Sequence, residues 1–240
     1  MKQGPKANLR CAGLALVAAL LVMPATAQTT APDQTAITQT VIAQDLAQLP
    51  KVTTTKHHKP GDPLNVGLVG SSDEIIALMQ AAGWTVPVPV TLKSSVKIAG
   101  SVALRRAYLT APVSTLFYEG RRQDLAFEKE VGRSASHRHH VRFWKLHDDG
   151  PDGRALWIGA ATFDRGVGFS HRNGAITHHI NGDVDQERGY LMGELNKTTR
   201  LTGVYSVMGA GPLKAKNGGG DLYFTDGNVV VGVIAPDVAQ

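Results

Sequence analysis

Apolar residues recur along this chain at two spacings, and the change from one to the other falls near residue 112. Before that point the spacing is helical. Ile75, Ile76, Leu78 and Met79 form one apolar stripe, and Ser71 followed three residues later by Glu74 has the pattern of a capping box, so a helix ending at Gly83 is predicted. A short strand, Asn65 to Val69, precedes it. Beyond the Pro-interrupted "TVPVPV", Val96, Ala99, Val102 and Ala103 repeat at helical spacing with Lys93, Lys97 and Arg105 outside, which predicts a second helix weakened by Gly100. After Pro112 the period becomes two. "STLFYEG" and "DLAFEKEV" flank "GRRQ" as a hairpin, and "HRHHVRFWKL", "RALWIGAATF" and "AITHHI" follow as strands divided by "DDGPDG" and "RNG". "DVDQERGYLMGEL" reads as a helix with acidic residues in its first turn, where the helix dipole favours them. "LTGVYSV" and "DLYFTDGNVVVGVI" close the chain as strands, with Asp226-Gly227 as a hairpin signal. Without internal repeats or sustained strand-helix-strand alternation, the expected class is α+β: a largely antiparallel sheet with about three helices packed on one face.

The N-terminal 60 residues fit neither spacing. Lys2, Lys6 and Arg10 lead into an apolar run from Ala12 to Met23, and Ala25-Thr26-Ala27 follows, the layout of a secretory leader cleaved near Ala27. The run is shorter than the about 20 residues a membrane-crossing helix needs. The expectation is therefore a periplasmic or secreted protein with no transmembrane span in the mature chain. Residues 28–60 are rich in Thr, Gln and Ala and read as a flexible tether, although Ile37, Val41, Leu46 and Leu49 hint at a weak amphipathic turn able to dock. The domain proper is then expected over residues 61–240, and removal of 28–58 is expected to leave it folded.

The leader also changes the charge and the cysteine count. It takes three of the 25 basic residues and none of the 20 acidic ones, so the formal net charge falls from +5 to +2 and no polyanionic partner such as nucleic acid is called for. The single cysteine, Cys11, leaves with it, which excludes an internal disulfide, a thiolate metal site and a cysteine nucleophile.

What the chain does offer is histidine: seven of nine fall between His137 and His179. Strand alternation puts His137, His139, Val141 and Phe143 on one face of their strand and Arg138, His140, Arg142 and Trp144 on the other. That makes His139 the core-side residue, and the same rule turns His178 inward. If the two histidine segments neighbour each other, His140 and His179 meet carboxylates at strand ends, Asp164 and Asp183 or Asp185, and imidazole with carboxylate suits Zn, Mn or Fe. A divalent metal on His140, His179, Asp164 and Asp183 is one reading. The spacing matches no compact metal signature, however, having neither a His-Glu-x-x-His helix nor a cysteine pair. The other reading is structural: inward histidines bonded to backbone or Asp, outward ones forming a solvated face with Arg138 and Arg142.

Other chemistries find less support. There is no Gly-x-Ser-x-Gly elbow and no phosphate-binding Gly-Lys-Ser/Thr loop, and "NGGGD" at 217 to 221 reads as a mobile turn. A triad on Ser170 and His171 fails because adjacent residues of an extended chain point opposite ways. Arg165 suits a phosphate or carboxylate, or equally a turn braced by Asp164.

Taken in order, "GDPLNVGLVGS", "AAGW", "TAPVS", "GRRQDLAFEKEVG", "RHHVRFWK", "LWIGAATFDRGVGFSH", "ITHHI" and "DVDQERGYL" resemble the LssY-like C-terminal domain, a bacterial envelope-associated family. The resemblance spans residues 60 to 200 and brings no catalytic residues to carry over. In relatives the domain is joined to membrane-spanning segments or to a phosphatidic-acid-phosphatase-type domain, which implies work at the membrane or on lipid phosphates. This chain has a leader and a tether in their place. The matched motifs contain His139, His140, Asp164, Arg165, His171, His178, His179, Asp183 and Asp185. Two function classes follow. One is an accessory module that binds an envelope component through the Arg/His/Trp face. The other is a metal-assisted hydrolase acting on a phosphate ester or lipid-related substrate. They are separated by whether His139 or His140, His179 and Asp164 converge.

Overall fold

A hydrogen-bonded edge explains much of the architecture, and it belongs to one long strand. The computed structural model describes residue 1 and residues 34–87, 115–132, 137–150, 153–169, 171, 176–209 and 211–236. The expected leader with its cleavage site, and the helix expected over residues 91 to 106, lie outside the described residues. In chain order the elements are α1 (Gln34–Ala47), β1 (Val52–Thr54), β2 (Pro60–Pro63), β3 (Val66–Val69), α2 (Ser72–Ala81), β4 (Phe117–Tyr118), β5 (Arg121–Arg122), β6 (Leu125–Glu130), β7 (Arg138–His147), β8 (Leu156–Phe169), β9 (Ile176–Ile180), α3 (Val184–Lys197), β10 (Leu201–Met208), β11 (Lys214–Lys216), β12 (Leu222–Phe224) and β13 (Asn228–Ile234). The main sheet has seven strands, ordered β10-β13-β3-β8-β7-β6 with β9 also on β8, and every pairing in it is antiparallel except β13 with β3.

At 14 residues, β8 is long enough to serve β3 with its first half (Leu156 to Gly159) and β9 with its second (Asp164 to Phe169). Between them a side chain fills the ladder. Asn65 accepts from the Ala161 N–H at 2.9 Å and donates to the Ala161 carbonyl at 3.1 Å, as a strand residue would, and the same amide donates to the Val184 carbonyl at the start of α3. One fully buried amide thus ties β3, β8 and α3, and leaves no ladder group of Ala161 unpaired.

The sheet is apolar on both faces. Val66, Leu68, Phe127, Val141, Phe143 and Trp157 face α2 and α3, which contribute Ile75, Leu78, Leu191 and Leu195. The alternate residues, among them Trp144, Leu156, Ile158 and Val231, gather with Leu64, Tyr118 and with Ile42 and Leu46 of α1. The α+β class and mostly antiparallel pairing agree with the sequence reading, but the three described helices do not share a face, because α1 packs opposite α2 and α3. The capping box at α2 is complete: Ser71 Oγ accepts from Glu74 N at 3.2 Å and Glu74 Oε2 accepts from Ser71 N at 2.6 Å, which stabilises the helix by about 1 kcal/mol.

Three expectations are corrected. Residues 34 to 60 are folded, not a tether: Ile42 and Leu46, four apart on α1, are buried and suffice to dock a helix whose remaining composition is polar. The hairpin around "GRRQ" is smaller than expected, with β4 pairing β5 across Glu119 and Gly120, both at positive φ as a two-residue turn requires, while β6 joins β7. Asp226-Gly227 does not join paired strands, since β12 pairs β11 and β13 pairs β10 and β3.

Candidate functional site

The face that α2 and α3 leave uncovered starts apolar and becomes polar toward β6 and β9. Its alternation places Arg138, His140 and Arg142 on one side of β7, opposite Asp164, Thr162 and Ala160 of β8 and opposite Glu130, Glu128 and Ala126 of β6. The sequence pattern treats these side chains as a solvated face. Instead Arg138 is 0 % exposed, His140 4 % and Arg142 6 %, because a second layer of chain lies over them. Part of that layer is β2, whose Asp62 accepts from Arg142 at 3.4 Å, and part is the β11–β12 turn, whose Asn217 donates to the same Asp62 at 3.3 Å. Taking cations out of water is costly unless each meets a carboxylate, and each does, with Arg138 on Glu128 at 3.1 Å.

Asp164 is the hub. Its Oδ2 accepts from His140 Nε2 at 2.7 Å and lies 2.9 Å from His178 Nδ1, so a single carboxylate oxygen is held between two imidazoles. Burial pushes Asp164 toward the neutral acid, but His140 and His178 together outweigh it and hold the carboxyl well below the usual range. Burial lowers His140, against the pull of Asp164, so the ring is neutral and its Nε2–H is the donor. Its Nδ1 has no hydrogen-bond partner among the described residues. His178 keeps 28 % of its side chain exposed and is the member of this trio that reaches solvent. Neighbouring groups feel the crowding. Burial, opposed by Arg142 and Asn217 and reinforced by Asp164 and Asp221, raises Asp62. Glu128 is pushed up to about 7 by burial despite Arg138, and Tyr223 to about 12 by burial and by Asp62.

A second histidine-carboxylate group adjoins the first along β9. His179 Nδ1 meets Asp221 Oδ1 at 2.7 Å, and His171 Nε2 stands 3.7 Å from the same oxygen. The "NGGGD" segment is an ordered turn: Asn217 Oδ1 accepts from the backbone of Gly219 and Asp221, both at 3.0 Å, which aims the buried Asp221 carboxylate at β9.

The four residues read together as metal ligands therefore do not form one site. His140 and Asp164 meet each other, His179 meets Asp221, and Asp183 is the N-cap of α3, accepting from Gln186 N at 3.1 Å. Asp185 accepts from Thr225 Oγ1 at 2.6 Å and from Arg188 at 2.9 Å, a brace between α3 and the segment before β13. Arg165 is exposed on β8 beside Asp164. His139, correctly placed on the core side, bonds Glu187 at 2.8 Å and stacks on Tyr190 with ring centroids 4.0 Å apart, closed in beneath α3.

Asp62, Asp221, Glu128, Glu187 and Tyr223 were not among the sequence candidates. Asp221 carried a signal, an Asp closing a turn that Asn217 opens, but nothing local tells that the turn folds over β9. A separate open groove of about 620 Å³ between α1 and β10, lined by Ala36, Gln39, Ala43, Ala47, Val207 and Met208, contains no titratable side chain.

With the geometry in place, comparison with known families adds one finding: the model of the family described as LssY C-terminus matches residues 46–229. The chain belongs to this family. The matched span of the LssY C-terminal domain begins within α1, ends in β13, and takes in every residue of both histidine-carboxylate groups together with the covering β2 and the β11–β12 turn. Neither the curated proteins nor the solved structures include a match to the chain.

Proposed function

We propose that this LssY C-terminal domain is a phosphate-ester hydrolase that works by acid–base chemistry at His140, Asp164 and His178. The observation that carries the reading is the buried carboxylate of Asp164, hydrogen-bonded to His140 and 2.9 Å from the Nδ1 of His178, the ring that reaches solvent. A charged carboxylate behind an imidazole orients the ring and stabilises the imidazolium that forms when the ring takes a proton. In this reading His178 removes a proton from water as its oxygen attacks phosphorus, the P–O bond to the leaving group breaks, and the proton returns to the departing alkoxide. The resemblance to domains found beside a phosphatase supports the substrate class, and the leader expected from the sequence supports work in the cell envelope. The test is phosphate release from p-nitrophenyl phosphate and from phosphatidic acid in mixed micelles. Replacing His178 by Gln or Asp164 by Asn is expected to lower turnover about 10²- to 10⁴-fold. No release by the wild type, or turnover indifferent to both changes, rejects the proposal.

The accessory-module reading loses its expected surface, since Arg138, Arg142 and Trp144 are buried. One observation favours it elsewhere. On the β11–β12 hairpin Lys214 pairs with Phe224 and Lys216 with Leu222, and all four are exposed, so apolar and cationic side chains share an outer face suited to an anionic lipid surface. Among the described residues no helix is long and apolar enough to cross a membrane. Sedimentation with vesicles containing phosphatidylglycerol, lost on changing Leu222 and Phe224 to Ser, is the outcome this reading expects.

A further inference from the structure

His171, His179 and Asp221 come from three separate stretches of chain: the turn after β8, strand β9 and the turn before β12. Their ligand atoms all lie within 4.8 Å of one another. One oxygen, Asp221 Oδ1, faces His179 Nδ1 at 2.7 Å and His171 Nε2 at 3.7 Å, while Oδ2 of the same carboxylate accepts from the Ile180 N–H at 3.2 Å. The geometry points to a divalent-metal site of the zinc class, with these three side chains as ligands. The reading is independent of the acid–base proposal at Asp164.

The chemistry of the donor set argues for zinc over calcium or magnesium: two imidazoles and one carboxylate are borderline donors, whereas the hard cations take oxygen alone. The spacing fits as well. Ligands about 2.0–2.1 Å from a tetrahedral ion stand about 3.3 Å apart, and the two distances from Asp221 Oδ1 bracket that value. Binding needs only that the close Nδ1–Oδ1 contact open slightly and that the longer one close, with the His179 proton on Nε2. The surroundings hold the ligands in place. The backbone bond from Ile180 and the two bonds to Asn217 Oδ1 fix Asp221, which is the work outer-shell partners do at metal centres. The His179 ring lies across Gly168, where a Cβ would come within 2.7 Å of Nε2, so only a glycine on β8 lets the ring rest there. His171 is 64 % exposed, which leaves the outer side of the site open to solvent. Three protein ligands with an open fourth position is the layout of a zinc that holds a water, not of a closed structural zinc.

The full chain, stripped with chelator and titrated with Zn²⁺ alone against a chromophoric competitor, is expected to bind one equivalent, and Co²⁺ in its place is expected to give the visible absorption of a four-coordinate ion. His179→Ala and Asp221→Asn should each weaken binding at least about 100-fold, since even outer-shell changes cost 10- to 100-fold. His171→Ala changes an exposed residue and leaves the fold intact, so it tests the site even if the others unfold; it too should weaken binding, while His57→Ala with His58→Ala should not. Absence of a bound equivalent in the wild type overturns the proposal. So does zinc affinity that His171→Ala leaves unchanged, or that the His57 and His58 change removes.

Discussion

His139 and His140 are neighbours on one strand, each bonded to a carboxylate, yet they belong to different kinds of structure. His139 is held by Glu187 and stacked on Tyr190 under α3, with Phe163 4.8 Å away on another side, so its surroundings are one polar bond in an apolar setting. His140 points the other way, into a layer where Asp62, Arg142, Glu128, Arg138 and Asp164 are buried together and where Asp164 lies 2.9 Å from the partly exposed His178. A largely buried histidine bonded to a carboxylate is therefore no sign of function in itself. What distinguishes the second region is that its network leads to solvent. The first region ends at a helix.

The largest expected effect comes from breaking the hub. Asp164→Ala strands a buried His140 beside two arginines, and removal of one partner of a buried charged network costs about 3–5 kcal/mol, read as a lower urea midpoint. Asn65→Ala tests the frame that both regions share. It leaves the Ala161 ladder groups without partners and should cost about 1–3 kcal/mol per buried group left unsatisfied, with m unchanged. A loss under about 0.5 kcal/mol would show that water replaces the amide there.

A pH series separates the two histidines further. Burial lowers the folded pKa of His140 below the ordinary value near 6.5, so as pH falls through 6.5 the unfolded chain gains a proton that the folded one refuses. Its contribution is therefore complete above pH 6.5 and is lost progressively below. Glu128 acts in the opposite sense. Its carboxyl, ordinarily near 4.5, titrates at about 7 in the fold, so its ionisation weakens the folded state as pH rises between those values. The difference between wild type and His140→Asn isolates the histidine term, and the wild type should lose its advantage over the variant on going from pH 7.5 to 5. An unchanged difference contradicts a neutral, buried His140. The smallest effect is expected at exposed Arg165, where Ala should change stability by less than about 0.5 kcal/mol.

How much of this was legible depends on whether a feature is local. The α2 capping box, strands β7 and β9, the first part of β8, the start of α3 and the side of β7 on which His139 lies all follow from spacing within a dozen residues, whereas β8 runs on through the expected strand end at Asp164 to Phe169. The cover over His140 does not. Alternation says which residues share a face, but Asp62 and Asn217, which close that face, are 155 positions apart in sequence and meet through a hydrogen bond that no local pattern encodes. The same reason hides Asp221, and it makes the histidine-arginine face look like surface. In α1 the error was one of composition: a mostly polar stretch reads as a tether, although two apolar residues at helical spacing bury it. At Asp226-Gly227 the turn residues are as expected, but a turn does not choose the partner of the strand that follows it.

The most direct test of the functional contrast between the two regions uses the two regions together. His139→Gln and His178→Gln, compared as folded protein for phosphate release from p-nitrophenyl phosphate, should behave oppositely. The first should lose stability while keeping turnover per folded molecule within about twofold, and the second should keep its fold and lose at least about 100-fold in turnover. Equal turnover in the two variants, or a greater loss at His139, would contradict the assignment of the chemistry to the Asp164 face.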